Sequence, residues 1–526
     1  MGVAAPGCHV NYASYSELMP AIDPVPGSDL LLASSDSTAP APAAPGLFDA
    51  PVDRRGTLSM KWDGAARYGR PADVLPAWVA DMDFPVPACV TDALRKRVDH
   101  GVYGYSDPGP GYVDALATWF TGRLGYVFDP AWVVPVPGVV PALSTAIRAL
   151  TAPGDGVLIQ QPVYYPFKEQ IESNGRRVVV SELILPDAGL TLPGPVTAAA
   201  TRMPDRRHDS GLGLAASDMT ASDTAAPDIA GQTMPGQMPQ RKPWRYEIDF
   251  ADLERCMVEG KVTLFVLCNP HNPGGVVWTA QELTELVRLC VKHDVLIFSD
   301  EIHCDFVFPH TLDDGSVRRH HVLPALCPQA ADRILLATAP SKTFNLAGLF
   351  TANMFISNSG MRRAFTQEMH RQGFSHMPVT GLLACEAAYR DGGPWADALV
   401  DYIASNMRHI DHVLADSLPA VSRYPSEGTY LAWLDMRRLR TPAGEPVTCR
   451  DIDRQLTRPD MTGPDVTGPD VTKPDGSTTG GLWLTRGDIF GAGGQGFMRL
   501  NAACPRTTLD QALDRLVTSL RRWPAE

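Results

Sequence analysis

Four short, almost purely apolar runs set the strongest limit on what this chain can fold into: Val157-Leu158-Ile159, Leu264-Phe265-Val266-Leu267, Val295-Leu296-Ile297-Phe298 and Ile334-Leu335-Leu336. Runs of this length without polar alternation are strands buried on both faces, the condition of a parallel sheet covered by helices. The segments between them carry a helical period. Residues 279–293 put Leu283, Leu286, Leu289 and Cys290 on one side, with Thr279 as N-cap and Glu282 as the other half of a capping box. The alternation predicts an α/β layer fold with a mainly parallel sheet. After Gly381 the pattern changes to helices around residues 396–418, strands at 430–434 and 497–501, and a closing helix after Arg506, which predicts a smaller α+β domain.

Three segments lack the material of a core. Residues 1–50 are rich in Ala, Pro and Ser, residues 194–243 contain no Phe, Trp or Tyr, and residues 457–480 repeat a degenerate Gly-Pro-Asp unit. Such compositions bury too little apolar surface to offset the entropy of ordering, so a disordered N-terminal extension and two low-complexity insertions are expected. The rest divides into a large domain, residues 88–375, and a small domain formed by residues 51–87 with 376–526. The balance of 46 Lys and Arg against 59 Asp and Glu, a net charge of −13 without long basic runs, argues against nucleic acid or an anionic membrane as partner. The 10 cysteines include no C-x-x-C pair, which fits reduced thiols in a cytoplasm better than disulfides or structural zinc. Pro6 breaks the myristoylation pattern, and no spanning or anchoring segment is expected.

In an open α/β sheet, ligands sit beyond the carboxyl ends of the strands, so the residues following each apolar run carry the chemistry. These are Gln160-Gln161-Pro162-Val163-Tyr164-Tyr165, Asn269-Pro270-His271-Asn272-Pro273-Gly274-Gly275, Asp300-Glu301-Ile302-His303 and Ala339-Pro340-Ser341-Lys342. Singly they read as a turn, a helix cap or a solvated lysine. Jointly they supply an amine, a carboxylate, an amide donor and an aromatic ring, the set that pyridoxal 5'-phosphate (PLP) requires.

With these residues in place, the chain resembles the fold-type I PLP enzymes, and within them the carbon–sulfur lyases of the MalY/PatB group (cystathionine β-lyase type). The likeness spans residues 54–506 apart from the two insertions. It is carried by RRGTLSMKWD (54–63), LPAWVADMDFPVP (75–87), GVYGYSDPGPGY (101–112), NPHNPGG (269–275), SDEIHCDF (299–306), SKTFNLAGL (341–349) and GFMRLNAACPR (496–506). The resemblance implies that Lys342 holds the cofactor as a Schiff base and moves the Cα proton, while Asp300 keeps the pyridine nitrogen protonated. It implies that Asn272 bonds the phenolic oxygen, that Tyr164 stacks on the ring and that His303 adjoins the cofactor. Backbone N–H groups at Gly138, Val139 and Val140, with the Ser341 hydroxyl, would hold the phosphate, and Arg499 would clamp the substrate α-carboxylate. Tyr105 would reach the phosphate of the neighbouring subunit, which makes the site a product of a homodimer. The implied reaction cleaves the Cβ–S bond of cystathionine or a related cysteine S-conjugate to a thiol such as homocysteine, pyruvate and ammonia.

Two positions separate this reading from a class I/II aminotransferase. Aminotransferases of this fold commonly have Tyr three residues after the pyridine-binding Asp and Arg eight residues after the lysine, where this chain has His303 and Phe350. A PLP-binding regulator with vestigial catalysis is a further alternative, opposed by the complete set of Lys, Asp, Asn, Tyr and Arg. The acidic and His/Cys cluster at residues 300–305 reads as no metal site, because neighbouring strand-end side chains point in different directions. His320-His321 reads as a solvated pair, and Cys268, Cys290 and Cys304 as small buried residues. Gly491, Gly493 and Gly496 satisfy G-x-G-x-x-G but precede a strand, so they read as a turn and not a dinucleotide site.

Overall fold

A computed structural model describes residues 46–185, 245–308, 317–457 and 480–525. Most of the low-complexity stretches, residues 1–45, 194–243 and 458–479, lie outside the described residues. Among the described residues the central sheet has seven strands: β1 (Val133–Val136), β2 (Gly156–Gln161), β3 (Arg177–Glu182), β4 (Val262–Cys268), β5 (Leu296–Asp300), β6 (Ile334–Thr338) and β7 (Ala352–Ile356). Their spatial order is β1-β7-β6-β5-β4-β2-β3, and β7 alone runs against its neighbours. All four apolar runs lie within or at the start of central-sheet strands. Leu264 and Val266 pack to one side with Val157, Ile159 and Leu335, while Phe265 and Leu267 pack to the other with Leu158 and Ile297. Burial on both faces is why these strands carry no polar alternation. The helix Ala280–Lys292 begins with the expected capping box, the Thr279 hydroxyl accepting from Glu282 N at 3.2 Å and the Glu282 carboxylate from Thr279 N at 2.8 Å.

The C-terminal part forms an antiparallel sheet of Thr485–Arg486, Phe497–Asn501, Leu431–Asp435 and Ser422–Arg423, in that order. The helices Gly393–Ser417 and Arg506–Leu520 pack with it. The three glycines 491, 493 and 496 lie in turns that lead into the strand Phe497–Asn501, as the pattern predicts. Two expectations need correction. Residues 46–50 fall in the stretch expected to stay out of the core, yet Phe48 is buried, its ring 5.0 Å from Phe84 and 5.5 Å from Trp395. One aromatic side chain supplies the burial that the Ala/Pro composition lacks. The helix Val379–Asp391 falls within the span given to the small domain, but it packs on Ala88–His100 and Pro110–Leu124 of the large one. No helix among the described residues is long and apolar enough to cross a membrane.

The flanks of the 194–243 segment are already joined, since Ile184 and Glu247 exchange backbone hydrogen bonds of 2.9 Å in both directions. Deleting residues 194–243 with a short Gly/Ser bridge therefore leaves Tm within about 3 °C and turnover within about twofold of the full chain, because closure entropy varies weakly with loop length. Calorimetry and a product assay check this. A loss of turnover beyond about tenfold would show that the segment takes part in the site.

Candidate active site

The register of the sheet brings the decisive strand ends to one edge: Cys268 of β4 pairs with Asp300 of β5, which pairs with Ala337 of β6. Asp300 is 5% exposed, and its Oδ1 accepts from Ile302 N at 3.1 Å. Burial raises its pKa to about 7, against the pull of that hydrogen bond and of the Lys342 charge. The next residue points elsewhere. Glu301 Oε1 accepts from Ser299 Oγ at 2.8 Å and Leu323 N at 3.0 Å, and Oε2 lies 2.6 Å from His320 Nε2. His320 is thus a buried partner of Glu301 and not a solvated loop residue. No group of three metal-ligating side chains forms among the described residues, and Cys268, Cys290 and Cys304 are buried.

Lys342 sits on the short helix Pro340–Thr343 that follows β6. The turn is held by Thr343, whose hydroxyl donates to Asp305 Oδ2 at 2.6 Å, and Trp119 Nε1 donates to the other oxygen of that carboxylate at 3.1 Å. Lys342 Nζ donates to the Ala80 carbonyl at 2.8 Å. Burial lowers the amine pKa to about 8. Asp81 and Asp300 resist that shift, and Arg499 adds to it.

Arg499 comes from the opposite wall, in the middle of the antiparallel sheet between Trp433 and Thr485. Its Nη1 donates to Asn272 Oδ1 at 2.8 Å and its Nη2 to the Trp78 carbonyl at 3.2 Å. No carboxylate pairs with it among the described residues, and its Nε is buried without a partner. Burial brings this guanidinium down to about 10. Because Arg499 occupies the Asn272 oxygen, the amide nitrogen of Asn272 remains as a donor. Tyr164 is largely buried, which raises its phenol pKa. His303 is buried with Nδ1 unpartnered and is held neutral by burial, with the Lys342 and Arg499 charges acting the same way. The helix Val139–Leu150 starts at Gly138, at φ +153°, without any side-chain cap, so the first N–H groups of that helix are free to meet an anion.

Val139, Val140, Tyr164, Asn272, Asp300, His303, Ser341, Lys342 and Arg499 all line one cavity of about 990 Å³. Tyr105 does not. It is 93% exposed, its ring 5.1 Å from that of His376. Phe350, where an aminotransferase would carry Arg, stands at the cavity mouth in a left-handed conformation at φ 48°. The contents of the cavity fit PLP and an amino acid. A buried carboxylate without a salt-bridge partner among the described residues suits a cationic ring nitrogen, an uncapped helix N-terminus suits a phosphate, an amine near 8 suits an aldehyde, and an unmatched guanidinium suits an α-carboxylate.

Sequence reasoning missed the opposite rim. Arg54 bridges Asp81 at 2.7 Å and Asp83 at 2.8 Å, and Lys61, 1% exposed, meets Asp83 at 2.6 Å. These charges, spaced through two of the motifs quoted above, pin the segment that carries the Ala80 carbonyl. Asp81 and Asp83, set within the otherwise apolar string of residues 75–87, were the available signal.

The family profile described as aminotransferase class I and II matches residues 79–188 and 231–516. The chain is 33% identical over 474 residues to cystathionine beta-lyase PatB of Bacillus subtilis, covering 90% of this chain and 99% of that one. It is 30% identical over 480 residues to protein MalY of Escherichia coli, covering 90% and 98%. Among solved structures, cystalysin from Treponema denticola, which contains a pyridoxal 5'-phosphate cofactor, superposes with a TM-score of 0.69 at 29% identity, covering 90% of this chain and 98% of that one. The PLP-bound C–S lyase from Staphylococcus hominis gives 0.66 at 25% identity, covering 90% and 97%.

Proposed function

The chain belongs to the class I and II aminotransferase family, and from that premise we propose that its cavity takes a cysteine S-conjugate such as cystathionine and releases the thiol, pyruvate and ammonia. The protein is a PLP-dependent carbon–sulfur lyase. The observation that carries the assignment of roles is the meeting, in one cavity, of an amine near 8, an unmatched buried carboxylate and an unmatched buried guanidinium.

When bound, the cofactor supplies a conjugated electron sink for the pair left on Cα. Asp300 would hold the ring nitrogen in its protonated form, and the Asn272 amide nitrogen would donate to the phenolic oxygen. Tyr164 would pack on the ring face, and His303 lines the same cavity as Lys342 as a neutral imidazole. The N–H groups of Val139 and Val140 and the Ser341 hydroxyl would receive the phosphate. Arg499 presents its fork to the substrate carboxylate, its orientation set by Asn272 and the Trp78 carbonyl. Lys342, with a pKa of about 8, is neutral often enough near neutral pH to take the Cα proton. Loss of the thiolate from Cβ and hydrolysis then balance as one water consumed for one thiol, one pyruvate and one ammonia. Equal yields of pyruvate and thiol from cystathionine test this stoichiometry. Every described cysteine is a free thiol and all but Cys89 are buried, which supports placement in the cytoplasm.

Tyr105, exposed and outside the cavity of its own chain, reaches the phosphate site of a second copy in a twofold dimer. Tyr105→Ala and Lys342→Ala homodimers each hold two damaged sites, whereas their mixed dimer holds one native site and one doubly damaged site. Refolding the two variants together restores turnover that neither shows alone. Verified mixed dimers without recovered turnover would place Tyr105 away from the shared site.

A further inference from the structure

Each backbone carbonyl from Trp78 to Met82 accepts a side-chain donor. Thr485 Oγ1 and Arg499 Nη2 hold Trp78, at 2.8 and 3.2 Å. Asn501 Nδ2 holds Val79 at 2.6 Å and also reaches Asp81. Arg54 and Asn345 hold Met82, both at 3.0 Å. Ala80 accepts from two donors, Lys342 Nζ and the Tyr430 hydroxyl, each at 2.8 Å. This segment is therefore a strap tied down carbonyl by carbonyl, and only one of its donors has to leave during the chemistry assigned above. That donor is Lys342.

Tyr430 stands immediately before the strand Leu431–Asp435 and is fully buried. Its ring lies 5.6 Å from His303 and 5.0 Å from Phe306, both edge to face. We propose that Tyr430 is a positioning residue for Lys342, keeping the Ala80 carbonyl partnered when the lysine nitrogen departs for the cofactor and fixed in place for its return. The proposal rests on the role given to Lys342 above. In capture, Nζ would hold the aldehyde carbon covalently, its two hydrogens leaving with the aldehyde oxygen as water. The nitrogen is then committed to the cofactor. Ala80 is partly buried in the cavity wall, where a bound cofactor would keep water from its carbonyl, and a carbonyl left there without a donor is costly, a cost the phenol removes. A carbonyl has lone pairs for two donors, so the phenol and the amine share Ala80 without excluding each other.

The alternative is that the phenol only pins the strap to the small domain, and a double-variant cycle separates the two. Tyr430→Phe deletes one oxygen and keeps the ring contacts. Circular dichroism and thermal melts verify that each variant folds. Cofactor affinity of the cofactor-free protein is then read from PLP absorbance or tryptophan quenching. Tyr430→Phe weakens cofactor binding about tenfold when Lys342 is present, because the departing lysine then strands Ala80. In the Lys342→Ala background, where no donor leaves Ala80, the same substitution changes the remaining non-covalent affinity less than about twofold. Equal losses in both backgrounds would reduce Tyr430 to a structural contact and overturn the proposal, as would undiminished affinity in Tyr430→Phe alone. A wild-type protein that captures no cofactor would refute the role of Lys342 itself, and this one with it.

Discussion

Lys342→Ala lowers pyruvate formation by roughly 10⁴-fold or more, because it removes both the covalent attachment of the cofactor and the group that moves the Cα proton. The fold survives, since the turn is held by Thr343 on Asp305 and not by the lysine. No other side chain takes over. Among the described residues Lys342 is the only lysine lining the cavity, and the nearby Lys61 amine is buried on Asp83. Borohydride reduction of the loaded wild type fixes PLP to the chain at residue 342, and the variant yields no adduct. An adduct at another lysine, with turnover retained, would sink the assignment. The amine also sets a pH dependence. Below about 8 it is protonated and cannot attack an aldehyde, so cofactor capture accelerates as pH rises through about 8 and then levels, whereas an ordinary lysine at 10.5 would keep accelerating.

Asp300→Asn has the second largest effect, a fall in kcat on the order of 10²–10³ with KM little changed, because the amide cannot hold the ring nitrogen protonated. The same substitution should help the cofactor-free protein. The folded pKa of Asp300, about 7, lies above its ordinary 3.8, so the folded state binds more protons between those values. Its contribution to stability is complete below about 4 and is lost as pH rises through about 7. Cofactor-free Asp300→Asn, which carries no charge to bury, therefore melts above the wild type at pH 8 and level with it near pH 4. Activity lost where stability is gained is what a functional carboxylate held at a cost produces. A variant less stable than wild type at pH 8 and fully active would mean that Asp300 is a structural residue.

How much of this was legible in the sequence depended on the range of the interaction. Asp300, Lys342 and Asn272 could be read because each follows an apolar run that buries on both faces, and a parallel sheet necessarily gathers such ends at one edge. The capping box of Thr279 and Glu282 closes within three residues, so its pattern is complete in the string. His320 was misread because its partner Glu301 lies 19 residues away, across the described chain and a stretch outside it. Phe48 was hidden by the composition around it. The Arg499 contact to Asn272 spans 227 positions and exists only once the two sheets have docked. Ala80 and Tyr430 left no trace, because a backbone carbonyl has no residue signature and a phenol donates wherever packing delivers it.

The central claim, elimination in preference to amino transfer, is tested by one reaction containing the protein, PLP, cystathionine and a 2-oxo acid acceptor other than pyruvate. Pyruvate and free thiol are assayed beside the new amino acid that transfer would form. The account predicts pyruvate and thiol in equal amounts, well in excess of the new amino acid. Its stoichiometric formation with little free thiol would contradict the account and make amino transfer, not elimination, the reaction of this chain.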